Sequence, residues 1–199
     1  MTPSRWQESS VDRATEPSTH PDRIPPGTGA EECTGRLAVR GRRYMISAVH
    51  YLPTMGGLRI LARRGNALDA SVAAGLCINV VQLHMAMFGG AAPIIISLAP
   101  KGTEPRRVVT ISGLGRWPRA ATLEGYLAKY GGDLPGGVPR TVTPAAPDAW
   151  LTALAEFGPL SLAEVLAPAL ELAEKGFPLR AEPQRYIASA AKPGGAIAR

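Results

Sequence analysis

From Val72 to Val81 nearly every position is apolar, with Asn79 the main exception. A helix that is apolar on all sides belongs in an interior. The residues before it predict how it begins. Arg64-Gly65-Asn66-Ala67-Leu68-Asp69 reads as a tight helix–helix junction. Gly65 is expected to end the first helix in the left-handed conformation, which costs glycine no steric penalty. Asn66 caps the second helix with its side-chain oxygen, and Asp69 sets a negative charge in the first turn, where the helix dipole favours it. Upstream, Tyr44–Val49 reads as a short strand. A helix then opens around Pro53, which is tolerated in a first turn because its missing amide would be unpaired there, and runs to Arg63. Within it, Gly56-Gly57 allows another backbone to come close, at some cost in helix propensity.

After the buried helix, Gln82–Gly90 is a turn. Ala92–Leu98 and Val108–Ile111 are β-branched runs around the polar stretch Ala99–Arg107, which predicts a hairpin with a solvated basic tip. Continuous apolar strands suggest a sheet covered on both faces. Thr122–Tyr130 reads as a helix closed by Gly131-Gly132, Asp133–Pro139 as a loop, and Ala145–Phe157 as an amphipathic helix that offers Trp150, Leu151, Leu154 and Phe157 for packing. Ser161-x-x-Glu164 is a capping box. Pro168 is expected to bend the helix that follows, Gly176 to close it and Pro178 to block its continuation. Residues 1–36, with Pro3, Pro17, Pro21, Pro25 and Pro26 and little apolar periodicity, read as a disordered leader. Residues 37–199 form the folded part.

Composition narrows the function classes. The net charge of +6 and pI near 9.7 would suggest an anionic partner if the charge were clustered, but the arginines are spread along the chain. No groove-reading motif or aromatic–basic interleaving points to nucleic acid. Cys33 and Cys77 make no disulfide framework, and His20, His50 and His84 complete no zinc spacing, so neither a metal nor a cofactor is expected. His84 reads as a loop histidine satisfied by backbone. No segment is apolar enough to span a bilayer, and the N-terminus lacks a signal pattern. Arg42-Arg43 superficially resembles a twin-arginine signal but runs straight into the folded region. A cytoplasmic protein is expected.

The junction Gly65-Asn66-Ala67-x-Asp69-Ala70 resembles the opening motif of the gamma-glutamyltransferase family of N-terminal-nucleophile hydrolases. Phe157-Gly158-Pro159-Leu160-Ser161 through Pro168 to Gly176-Phe177-Pro178 is the most specific match, and the resemblance runs over roughly residues 44–180. There are departures. Arg64 stands where a first glycine is usual, Gln82–Gly90 is less glycine-rich than in typical members, and Arg140 replaces a glycine in Gly137-Val138-Pro139-Arg140. Aligned on Pro118-x-Ala120-Ala121-Thr122, the family's Arg-Glu pair falls on Leu114 and Gly115, so the arginine that grips the substrate α-carboxylate is missing from its place. Arg116 is the first substitute and Arg119 the weaker one. Both read equally well as surface arginines. Gly113-Leu114-Gly115-Arg116-Trp117-Pro118 with Pro144–Trp150 resembles a divergent branch that includes oxamate-amidohydrolase-like proteins.

The resemblance implies an α+β fold of the four-layer αββα kind, present here incompletely. It also implies chemistry in which a threonine freed by self-cleavage attacks an amide, with its own amine as base. That threonine begins the family's second subunit. Thr110, Thr122, Thr141 and Thr143 match scaffold positions, so no catalytic residue is expected here. The chain reads as the N-terminal part of an amide hydrolase or acyltransferase, inactive alone, whose partners are a small-molecule amide (a γ-glutamyl compound or one such as oxamate) and the missing C-terminal part. It should expose apolar strand edges and aggregate readily. Two other readings are a truncated non-catalytic scaffold or interaction protein and a basic anion- or nucleic-acid-binding module.

Overall fold

The computed structural model describes residues 39–133 and 135–191 and the backbone of residues 7–9. The leader expected over residues 1–36 lies outside the described residues apart from Gln7–Ser9, as do Cys33 and His20. Helix α1 (Tyr51–Ala62) starts two residues before Pro53, where buried His50 caps it by accepting the Leu52 amide on Nδ1 at 3.1 Å. Burial, and secondarily the Arg180 charge, hold the His50 pKa below its ordinary value. Helix α2 (Ala67–Val81) lies against α1, and the two glycines set how closely. A Cβ on Gly56 would stand 2.8 Å from Cys77 Sγ, and one on Gly57 2.8 Å from the Ala70 carbonyl oxygen.

The junction between these helices corrects one expectation. Arg64, not Gly65, takes the left-handed conformation, with φ at 70°. Gly65 is glycine for room, since a Cβ there would lie 2.5 Å from Ile60 Cγ2 and 2.9 Å from Leu160 Cδ1. The arginine therefore sits at the strained position, at a cost of about 1–2 kcal/mol. An R64G variant is expected to be more stable by about 0.5–1 kcal/mol, part of the relief being offset by glycine's greater unfolded-state entropy. Urea unfolding should show a raised midpoint at unchanged slope, and a lowered midpoint would mean that the Arg64 side chain contributes more than its backbone costs.

The cap of α2 is as expected and does more than cap. Asn66 Oδ1 accepts the Leu68 and Asp69 amides, each at 2.9 Å, and Asp69 Oδ2 accepts the Asn66 amide at 2.8 Å. Asn66 Nδ2 also donates to the Phe157 carbonyl at 2.6 Å, tying the start of α2 to the end of α4 (Ala146–Phe157). Asp69 is fully buried and is fitted against Gly158, where a Cβ would meet Asp69 Oδ1 at 2.6 Å.

The core forms around α2, as its all-round apolarity requires. Val72, Ala73, Leu76 and Cys77 cluster with Ile60 of α1, with Ala149, Ala153 and Leu154 of α4, and with Val165 and Ala169 of α5 (Leu162–Lys175). Burial pushes the Cys77 thiol up to about 11, against a smaller opposite pull from Arg59. It stays protonated at neutral pH and serves as packing. The α5 capping box is present: Ser161 Oγ accepts the Glu164 amide at 3.4 Å and Glu164 Oε2 accepts the Ser161 amide at 2.9 Å. Hydrogen bonds from the Ser161 hydroxyl and amide hold the Glu164 pKa below its ordinary value. Pro168 is buried within α5, and Gly176 closes that helix at φ 77°.

Strands β2 (Ile94–Leu98) and β3 (Arg107–Ile111) form the expected antiparallel hairpin, Ile96 opposite Val109. Strand β1 (Gln7–Ser9) pairs antiparallel with β3, giving the order β1-β3-β2. The sheet covers the core with Ile94, Ile96 and Ile111. Its other face is open, with Ile95 77% exposed, so the expectation of a sheet covered on both faces fails among the described residues. The strand expected at Tyr44–Val49 is also absent. No described strand lies alongside to share a ladder, although Ile46 packs on the core and against Gly57. Helix α3 (Leu123–Tyr130), capped by Thr122 and closed by Gly131 at φ 63°, buries none of its residues fully. Tyr126 anchors it by donating to the Pro139 carbonyl at 3.0 Å. Helix α6 (Ala181–Ala190) follows α5.

Candidate substrate groove

Beyond Ile111 the chain leaves the sheet and runs through Ser112–Pro118 beside the residues that lead into α4. Four local features hold it there. The Ala92 amide donates to the Gly113 carbonyl at 2.9 Å. Gly113, at φ 55°, lies so close that a Cβ would be 2.0 Å from the Ala92 oxygen. Gly115 is closer still to its neighbour, with a Cβ position 1.8 Å from the Thr143 carbonyl oxygen. Thr143 Oγ1 then donates to the Arg116 carbonyl at 2.7 Å. On the other side, α4 has no side-chain cap. The Ala145 and Ala146 amides both donate to the Gly90 carbonyl at 3.1 Å, so the modest glycine content of the turn before β2 still supplies the acceptor that seats α4.

Between these walls lies an open groove of about 850 Å³, within the usual range for small-molecule sites. Thr110, Ser112, Leu114, Gly115 and Arg116 line one side, and Thr143, Asp148 and Thr152 the other. Arg116 is exposed at this groove, and no described carboxylate pairs with it. Arg119 is also exposed but lies in the turn before α3, outside the groove. The structure thus separates the two candidate arginines. Asp148 and Thr152 reach the groove from successive turns of α4. Their i, i+4 spacing was readable in the sequence, but nothing there said which face of the helix was the wet one. Thr110 and Thr143, read as scaffold, stand in the groove wall.

The groove presents hydroxyls and the Arg116 guanidinium, and a guanidinium suits binding of a carboxylate. Histidine is not among its lining residues. His50 caps α1, and His84 departs from the expectation of backbone satisfaction. The His84 side chain is 5% exposed, and neither ring nitrogen has a hydrogen-bond partner. The ring packs on Tyr186 at 5.3 Å between centroids, with Nε2 3.8 Å from Glu182 Oε1, because the turn carries it toward α6 and away from backbone acceptors. Among the described residues no group of three or more His, Cys, Asp or Glu could hold a metal ion, and no helix is long and apolar enough to cross a membrane. A second, apolar hollow of about 370 Å³ lies beside α3 between Trp117, Leu123, Tyr126 and Leu127.

Residues 54–194 match the family model for gamma-glutamyltranspeptidase, and the chain belongs to that family. It is 36% identical over 149 residues to the glutathione hydrolase-like YwrD proenzyme of Bacillus subtilis, a match covering 75% of this chain and 28% of that protein. It is 37% identical over 147 residues to the acylase ACY 1 proenzyme of a Pseudomonas strain, covering 69% and 25%. Among solved structures, Helicobacter pylori gamma-glutamyltranspeptidase superposes with a TM-score of 0.66 at 25% identity, over 77% of this chain and 44% of that one. Cephalosporin acylase from Bacillus halodurans does so with a TM-score of 0.62 at 29% identity, over 79% and 30%. The fold is therefore the α+β, N-terminal-nucleophile-hydrolase kind in part, and the chain spans about a quarter of the length of these curated relatives.

Proposed function

We propose that this chain supplies the substrate-cradling N-terminal portion of an amide hydrolase or acyltransferase, with the groove holding the acyl part of an amide that bears a carboxylate and Arg116 binding that carboxylate. The threonine nucleophile and the amine that activates it come, in this reading, from the part of the family's length that the chain does not span. The observation that carries the reading is the position of Arg116, at a polar groove built from the stretch where the family resemblance puts its carboxylate-binding arginine. Arg119, outside the groove, has no part in it. Relatives named as a glutathione hydrolase-like protein and as an acylase support an acyl amide as substrate class. Both a γ-glutamyl amide and oxamate satisfy the requirement for a carboxylate.

The test is hydrolysis of γ-glutamyl-p-nitroanilide and of oxamate by the full chain as its gene encodes it. Loss of a charge-assisted hydrogen bond costs about 1.5–3 kcal/mol, so R116A should lower kcat/KM about 10- to 150-fold, mainly through KM, while R119A stays within about twofold of the parent. Equal effects of the two variants, or none from either, would overturn the assignment of Arg116. A full chain that cleaves neither substrate and shows no self-cleavage would favour the non-catalytic scaffold instead.

A further inference from the structure

We infer that Thr143 is a positioning residue for Arg116, setting the height of the guanidinium over the groove, and so that it tunes the affinity of this site for the substrate carboxylate; the inference rests on the reading of Arg116 given above. One hydrogen bond to the Arg116 backbone, across a sequence separation of 27 residues, and one close approach of its neighbour Gly115 tie this segment to Thr143. The Thr143 hydroxyl donates to the Arg116 carbonyl at 2.7 Å, and the neighbouring Gly115 rests directly on the Thr143 carbonyl. Ser112–Pro118 belongs to no helix or strand, so it has no ladder to fix where Arg116 stands. Of the groove hydroxyls, Thr152 is spent on its own helix, donating to the Asp148 carbonyl at 2.6 Å. Thr143 instead bonds where the two walls meet, to the backbone of the residue bearing the guanidinium. A long flexible side chain binds a planar anion well only if its base is fixed, because every uncertainty in the backbone adds to the rotamer entropy lost on binding.

Valine has nearly the shape of threonine without the donor. T143V keeps the Gly115 contact, which is to backbone, and removes only the hydroxyl. It is expected to raise KM for γ-glutamyl-p-nitroanilide about two- to tenfold, the range of one hydrogen bond, with kcat within twofold and the thermal midpoint within about 2 °C of the parent. T143S, which keeps the donor, should restore KM. The same series run on R116A completes a cycle. If Thr143 acts through Arg116, T143V adds little to R116A. T143V and T143S equal to the parent, with R116A impaired, would overturn the positioning role and leave the Arg116 reading standing. T143V impaired equally in the presence and absence of Arg116 would assign Thr143 a direct contact with substrate, which also overturns it. An R116A variant indistinguishable from the parent overturns both readings.

Discussion

An alanine at position 115 is expected to pry open the groove and cost about 3 kcal/mol of stability. The added Cβ would fall 1.8 Å from the Thr143 carbonyl oxygen, 2.5 Å from its carbon and 2.6 Å from Thr143 Cβ. Two of these atoms are backbone, and the segment that carries them leads into α4, whose first amides are bonded to Gly90. No rotamer change relieves such a clash, so the two walls must part, which puts the cost at the upper end of the usual overpacking range of about 1–3 kcal/mol. The control is G136A, where an added Cβ meets nothing within 4 Å. Denaturant midpoints should fall for G115A and hold for G136A, and proteolytic cleavage near residues 112–118 should accelerate only in G115A. If both variants matched the parent, the packing of Gly115 on Thr143 would be wrong. The same geometry accounts for the local departure from the family pattern. A glutamate at 115 would meet the same obstruction, so Gly115 and the threonine opposite are fitted to one another.

N66A is expected to cost about 2–3 kcal/mol, the second largest loss. Alanine removes the acceptor for two first-turn amides of α2, worth about 0.5–2 kcal/mol. It also leaves the Phe157 carbonyl without the Asn66 donor, at a further 1 kcal/mol or so. N66S separates the two contributions, because serine caps well but is too short to keep the Phe157 tether. The expected order of urea midpoints is parent, N66S, N66A. If N66S fell as far as N66A, the tether to α4 would be the whole of the effect. If N66S equalled the parent, the tether would contribute nothing, and Asn66 would be a cap alone.

Local chemistry determined what could be read from the chain alone. An unbroken apolar run has to be buried, so α2 was legible as the centre of the core. Asn66 with Asp69, and Ser161 with Glu164, satisfy orphan amides within one turn, so both helix starts could be placed without knowing what surrounds them. The β2–β3 hairpin followed from two β-branched runs and a polar tip. The family resemblance, carried by short motifs in a fixed order, agrees with the family match and the structural likeness found here.

Tertiary structure decided what depends on residues distant in sequence. That residue 65 is glycine for room, while Arg64 takes the left-handed turn, followed from packing, since a Cβ at 65 would meet Ile60 and also Leu160, nearly a hundred positions away. Tyr44–Val49 has strand composition and no ladder, because a strand requires a neighbour and no described strand offers one. His84 reads as a satisfied loop histidine but sits without a hydrogen bond against Tyr186 and near Glu182, because α6 comes to rest there. That Arg116 lines the groove and Arg119 lies outside it was likewise invisible in one dimension. Both are arginines on one irregular segment, and only the approach of Thr143 from the far side creates a groove that takes in one and leaves out the other. Apolar periodicity and capping are properties of a few consecutive residues. A concave site is a property of two segments meeting, and the sequence states each segment without stating that they meet.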